Sequence, residues 1–124
     1  MKKSLLIVSH GSRREQSNIE VNELTKKIIP LTAGQFDIVH CAYLELAEPL
    51  IPDGIDLCIN QGAESVLVLP YFLAAGRHVA EDIPEIINTA RIKHPTKSIN
   101  IATHLGAAEK MPGLLADIAL NNKD

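Results

Sequence analysis

Four short apolar runs alternate along the chain with four longer stretches in which apolar residues recur at helical spacing. Leu5–Val8, Ile38–Tyr43, Val66–Leu69 and Ile99–Ala102 read as strands. The helical stretches carry Val21, Leu24, Ile28 and Leu31, then Ile51, Ile55, Cys58 and Ile59, then Ile83, Ile86, Ile87 and Ala90, and last Met111, Leu114, Leu115 and Ile118. Gly62 suits the residue just past the second helix, and His94-Pro95 ends the third. No repeat and no low-complexity stretch interrupts this alternation.

A strict strand–helix alternation predicts an α/β fold: a three-layer sandwich with a four-stranded parallel sheet between helices. The first and third strands are continuously apolar, as central parallel strands are. The second contains His40, and the fourth alternates Ile-Asn-Ile-Ala, so both read as edges. The predicted strand order is 2-1-3-4. The chain then winds away in opposite directions from the first and third strands. Ligands of open α/β sheets bind at such a switch point, outside the carboxyl ends of the strands. The segments there are Ser9–Arg14 and Pro70–Asp82.

Composition narrows the picture. A length of 124 residues suits one domain, spanning 1–124. With 46% hydrophobic and 22% charged residues, the chain reads as globular. A net charge of −3 and 3% aromatic residues argue against nucleic acid as a partner. No apolar run approaches membrane-spanning length, and the N-terminal run is too short for a signal segment, so the expected compartment is the cytoplasm. Cys41 and Cys58 lack CxxC spacing and read as buried reduced thiols.

Both switch-point segments bring a histidine. His10 follows the first strand and His78 ends the loop after the third. A neutral imidazole is a ligand for Fe, Co, Ni or Zn and accepts a proton near neutral pH. Alone, either residue reads as an ordinary loop histidine; as a pair at one crevice they read as a metal or proton-transfer site. Glu45, after the second strand, falls on the same edge and can accept a proton or guide a cation. Gly11-Ser12-Arg13-Arg14 opens the first helix, with Ser12 its expected N-cap and free N–H groups to attract an anion. Together with Arg77 it reads either as a rim for a carboxylate-rich ligand or as a capped helix with solvated arginines. Asp82 is expected to cap the third helix, with Pro84 and Glu85 in its first turn. Glu81 reads as an orienting carboxylate for His78 or as a solvated acid. His40 reads as a satisfied, partly buried side chain, His94 as a helix-end residue, His104 as peripheral and Glu48 as a surface acid.

Three segments together, Ser9-His10-Gly11-Ser12-Arg13, Tyr43-Leu44-Glu45-Leu46-Ala47-Glu48-Pro49 and Phe72-Leu73-Ala74-Ala75-Gly76-Arg77-His78 with Asp82-Ile83-Pro84, resemble the small CbiX-type sirohydrochlorin chelatases, relatives of the class II chelatases. The resemblance implies a chelatase-like fold and insertion of Co2+ or Fe2+, with Ni2+ a further candidate, into sirohydrochlorin during cobalamin or siroheme biosynthesis. It implies that the divalent metal is a substrate and that no prosthetic group is held. His10 and His78 correspond to the family's active-site histidines and would hold the metal. Glu45 matches the acidic position, and Ser9, Gly11, Ser12, Arg13 and Arg77 would bind the acidic tetrapyrrole. A chain of this length resembles the single-half form, which works as a homodimer. One segment departs: where the family pattern runs Pro-Leu-Gly and then His-Pro, this chain has Thr103-His104-Leu105-Gly106-Ala107-Ala108-Glu109, keeping only the Leu-Gly step. The competing readings are a non-catalytic tetrapyrrole or metal carrier and a different α/β small-molecule enzyme.

Overall fold

A computed structural model describes residues 1–122; the last two positions of the expected 1–124 domain lie outside the described residues. The elements in order are β1 (Lys2–Ser9), α1 (Glu15–Ile28), β2 (Ile38–Tyr43), α2 (Ile51–Asn60), β3 (Ala63–Pro70), α3 (Ile83–Lys93), β4 (Ser98–Ile101) and α4 (Met111–Leu120). A π-helical turn, His78–Asp82, runs directly into α3, and a 3-10 turn, Leu105–Ala107, precedes α4. The four strands are parallel in the order β2-β1-β3-β4, as the apolar pattern predicts.

Successive side chains of β1 point to opposite faces of the sheet and feed two cores. Leu6 and Val8 pack with Ile51, Ile55 and Cys58 of α2 and Ile83 and Ile87 of α3. Leu5 and Ile7 pack with Cys41 and Tyr43, against Val21 and Ile28 of α1. The sheet therefore lies between α1 on one side and α2 with α3 on the other. Both cysteines are buried and unpaired, as expected, and burial pushes the Cys58 thiol above its ordinary range.

Two expectations need correction. The first helix ends at Ile28, and Leu31 lies beyond it, 83% exposed; Pro30 has no N–H with which to continue the helical ladder. The fourth helix forms where its spacing predicts, but none of its residues is buried. Leu114, Leu115 and Ile118 are 52%, 60% and 64% exposed. Spacing reports which residues share a helical face; it does not report what covers that face. Among the described residues no helix is long and apolar enough to cross a membrane.

Candidate functional site

The sheet carries the candidate residues to one edge. β1 and β2 stay in register to their ends, with Ser9 opposite Tyr43. Backbone bonds then continue past the strands: the Leu44 N–H donates to the Ser9 carbonyl and the Glu45 N–H to the His10 carbonyl. This extension sets Glu45 beside His10. Gly11 makes the approach possible, because its φ of +89° suits glycine and a Cβ there would overlap the Glu45 carbonyl oxygen. On the other side of β1, the Tyr71 N–H donates to the Val8 carbonyl and starts the loop that ends at His78.

His10 and His78 meet at the gap between β1 and β3, the predicted switch point. Their ring centroids are 4.8 Å apart, with the planes inclined at 64°. The rings lie at an open rim, their side chains 42% and 43% exposed. His10 Nδ1 lies 2.8 Å from the Gly11 carbonyl oxygen, and His78 Nδ1 lies 2.8 Å from Asp82 Oδ2. A carbonyl oxygen and an ionised carboxylate only accept, so both Nδ1 atoms carry hydrogen. In the neutral rings both Nε2 atoms then hold free lone pairs. Glu45 Oε1 stands 3.6 Å from His10 Nε2. Two acceptors facing each other suit a cation or a proton between them.

Asp82 thus takes a role other than the expected cap. It is not an N-cap: its backbone is already helical and makes no side-chain cap bond, because the π turn starts the helix at His78. Its carboxylate turns instead to the histidine four residues earlier. Of the two readings of Glu81, an orienting carboxylate for His78 or a solvated acid, the second holds: Glu81 is exposed and pairs with Arg77 Nε at 3.4 Å.

The β1–α1 loop is also tied differently from expectation. α1 starts at Glu15 with Arg14 as its cap residue, so Ser12 is not the N-cap; its hydroxyl accepts from the Arg14 N–H. Asn18, which no sequence motif marks, grips Ser12 twice, accepting from its N–H at 2.9 Å and donating to its carbonyl at 2.8 Å. Two N–H groups expected to be free for an anion are therefore engaged. The Tyr43 hydroxyl donates to the Asn18 carbonyl; burial, then contact with Cys41, pushes its phenol well above the ordinary range, so it remains a donor. Arg13 and Arg14 are exposed, and Arg13 lines an open recess of about 590 Å³ with Ser12, Asn18 and Glu48. Ser9, expected on the rim, is buried, and its hydroxyl has no partner among the described residues. Two of the remaining three histidines bond elsewhere: His40 bonds Gln61, and His94 bonds Asp56.

A family model, CbiX, matches residues 4–120. The chain belongs to the CbiX family. This CbiX chain is 42% identical over 102 residues to the chloroplastic sirohydrochlorin ferrochelatase of Arabidopsis thaliana, covering 82% of itself and 44% of that protein. It is 42% identical over 84 residues to the sirohydrochlorin cobaltochelatase of Methanococcus maripaludis, covering 68% of itself and 57% of the relative. Among solved structures it is similar to SirB from Bacillus subtilis with Fe3+, at a TM-score of 0.85 and 26% identity, over 99% of this chain and 49% of that one. The CbiX chain spans about half the length of these relatives.

The segment that departs from the family pattern follows β4. His104 is half-buried and leads the 3-10 turn. In this CbiX chain the retained Leu105-Gly106 step packs on the loop that leads to His78. The Gly106 N–H donates to the Phe72 carbonyl at 2.9 Å, and a Cβ on Gly106 would overlap the Leu73 carbonyl. The Leu-Gly step thus braces the loop between β3 and His78.

Proposed function

We propose that this chain inserts a divalent metal ion, Co2+ or Fe2+ with Ni2+ a further candidate, into sirohydrochlorin. The carrying observation is the His10–His78 pair, two ring centroids 4.8 Å apart at the carboxyl edge of β1 and β3. The names of the ferro- and cobaltochelatase relatives support the reaction class. The metal enters as a substrate, and no prosthetic group is needed. Residues 1–124 act as one domain.

In this reading the Nε2 atoms of His10 and His78 receive the metal and pass it to the macrocycle. Two weak imidazole ligands leave coordination positions open for the ring nitrogens. Two pyrrolic protons must leave as the metal enters. His10 Nε2, once the metal has left it, accepts one of them, and Glu45 at 3.6 Å stabilises the imidazolium that forms; the other passes to the Glu45 carboxylate or to solvent. Arg13 binds a carboxylate of the macrocycle. Arg77 contributes less, because Glu81 already engages it. Gly11 and Ser12 act by shaping the loop.

The working unit is a homodimer. The unburied apolar face of α4 supports this, as does the match of the whole chain to about half of a longer one. A second copy would supply the missing half and a wall for a large flat ligand, and two-fold dimers are the commonest closed assembly.

Absorbance-monitored incubation of the protein with sirohydrochlorin and each of Co2+, Fe2+ and Ni2+ tests the reading. The expected result is insertion faster than without protein for at least one metal. Binding of both ligands without turnover would mark a carrier and overturn the enzymatic reading.

A further inference from the structure

We infer that Asp82 is a positioning residue that makes His78 the firmer metal ligand of the histidine pair. The inference rests on the reading of His10 and His78 as metal ligands. It starts from an asymmetry in how the rings are held. His10 Nδ1 meets a neutral acceptor, the carbonyl oxygen of Gly11, whereas His78 Nδ1 meets the carboxylate of Asp82, each at 2.8 Å. Both contacts place the proton on Nδ1 and leave Nε2 to bind. An anionic acceptor does more: it polarises the imidazole, strengthens the lone pair on the opposite nitrogen and fixes the ring plane.

The local backbone is arranged for this contact. His78 and Asp82 are the first and last residues of the π turn, and the Ile83 N–H closes the turn on the His78 carbonyl. Such turns are rare and occur often at functional sites. Residues four apart lie on one face of a helical turn, so Asp82 reaches the ring without any loop rearrangement. The next residue, Ile83, is fully buried in the core cluster that also holds Leu6 and Val8 of β1, which anchors the far end of the turn. Asp82 thus sits one residue before a core anchor shared with β1, the strand that carries His10.

The two histidines then differ in task. His78, oriented by a carboxylate at Nδ1, holds the metal. His10, with Glu45 on its Nε2 side, exchanges metal for proton. Loss of Asp82 should therefore weaken metal binding through His78 while leaving His10 as it was.

Two measurements test this, one of which needs no metal. Long-range 15N–1H spectra of the metal-free chain, taken at about pH 8 where an ordinary imidazole is neutral, report which nitrogen of each histidine carries hydrogen. The wild type should show His78 protonated on Nδ1. Asp82→Ala should move His78 toward a mixture of tautomers and leave His10 unchanged. A Co2+ titration followed by visible absorption should then show affinity weakened about 10–100-fold in Asp82→Ala. Asp82→Asn, which retains a neutral acceptor, should recover part of that loss. An unchanged His78 tautomer together with wild-type Co2+ affinity in Asp82→Ala would overturn the inference. A wild-type chain that does not bind Co2+ at all would overturn the metal-ligand reading beneath it. The spectra would still decide whether Asp82 orients the ring.

Discussion

Gly11 lies so close to Glu45 that no side chain fits between the loops after β1 and β2. The contact sets the distance from His10 to Glu45, since the Glu45 N–H is tied to the His10 carbonyl at 3.0 Å. Gly11→Ala should lower stability by about 1–3 kcal/mol, the cost of holding a non-glycine residue at a disfavoured backbone angle. It should also depress metal insertion. Gly106→Ala should have a similar effect through the Leu73 carbonyl, whereas Gly76→Ala, with nothing within 4 Å of its Cβ position, should leave stability nearly unchanged. Urea denaturation of the three variants, alongside insertion rates, checks the ranking.

Recognition of an acidic macrocycle by a chain of net charge −3 must rest on local positive charge. Because Asn18 and Ser12 occupy two N–H groups of the β1–α1 loop, that role falls on side chains. Arg13→Gln should raise KM for sirohydrochlorin by an amount equivalent to roughly 1–3 kcal/mol, the range for a charged hydrogen bond, with less effect on kcat. The effect should shrink with added salt. Arg77→Gln should do less. Equal KM values for both variants and the wild type at low salt would remove the arginine rim from the account.

Asp56 provides a pH-dependent tie between α2 and the end of α3. Burial acts to raise its carboxyl, but hydrogen bonds from Lys93 and His94 outweigh this and hold it below its ordinary value. A carboxyl whose pKa is lowered by folding adds stability above its unfolded pKa, and that contribution fades as pH falls through the folded one. Asp56→Asn should therefore cost stability at pH 7, by up to about 1 kcal/mol for so accessible a cluster. It should cost little near pH 2. Thermal melts of both proteins across this range should converge at the acid end.

The apolar face of α4 makes a separate prediction. Leu114→Gln with Ile118→Gln removes apolar surface that is already exposed, so the fold should survive. If a second copy covers α4, the variant should sediment as a monomer where the wild type sediments as a dimer. A wild type that remains monomeric and active at working concentration would contradict the dimer.

The sheet order was legible because central parallel strands must be apolar on both faces, as Leu5–Val8 and Val66–Leu69 are, while His40 and Asn100 mark edges. That order alone brings His10 and His78 to one gap. The role of Asp82 was not legible. Asp82-Ile83-Pro84-Glu85 has the composition of a helix start, and only the π turn, which begins the helix four residues earlier, frees the carboxylate for His78. Asn18 was hidden for a different reason. It is a polar residue in the first turn of a helix, and its grip on Ser12 depends on how the loop folds back. The exposure of α4 was hidden because periodicity is the same whether the covering surface belongs to the same chain or to another.

The most direct test compares metal insertion into sirohydrochlorin by the wild type, His10→Ala, His78→Ala and the double variant, with folding of each checked by circular dichroism. If the two rings form one site, each single variant should lose most of the activity, and the double variant should lose little more than either one, as groups acting as a unit do. Folded single variants that insert metal at the wild-type rate would contradict the account.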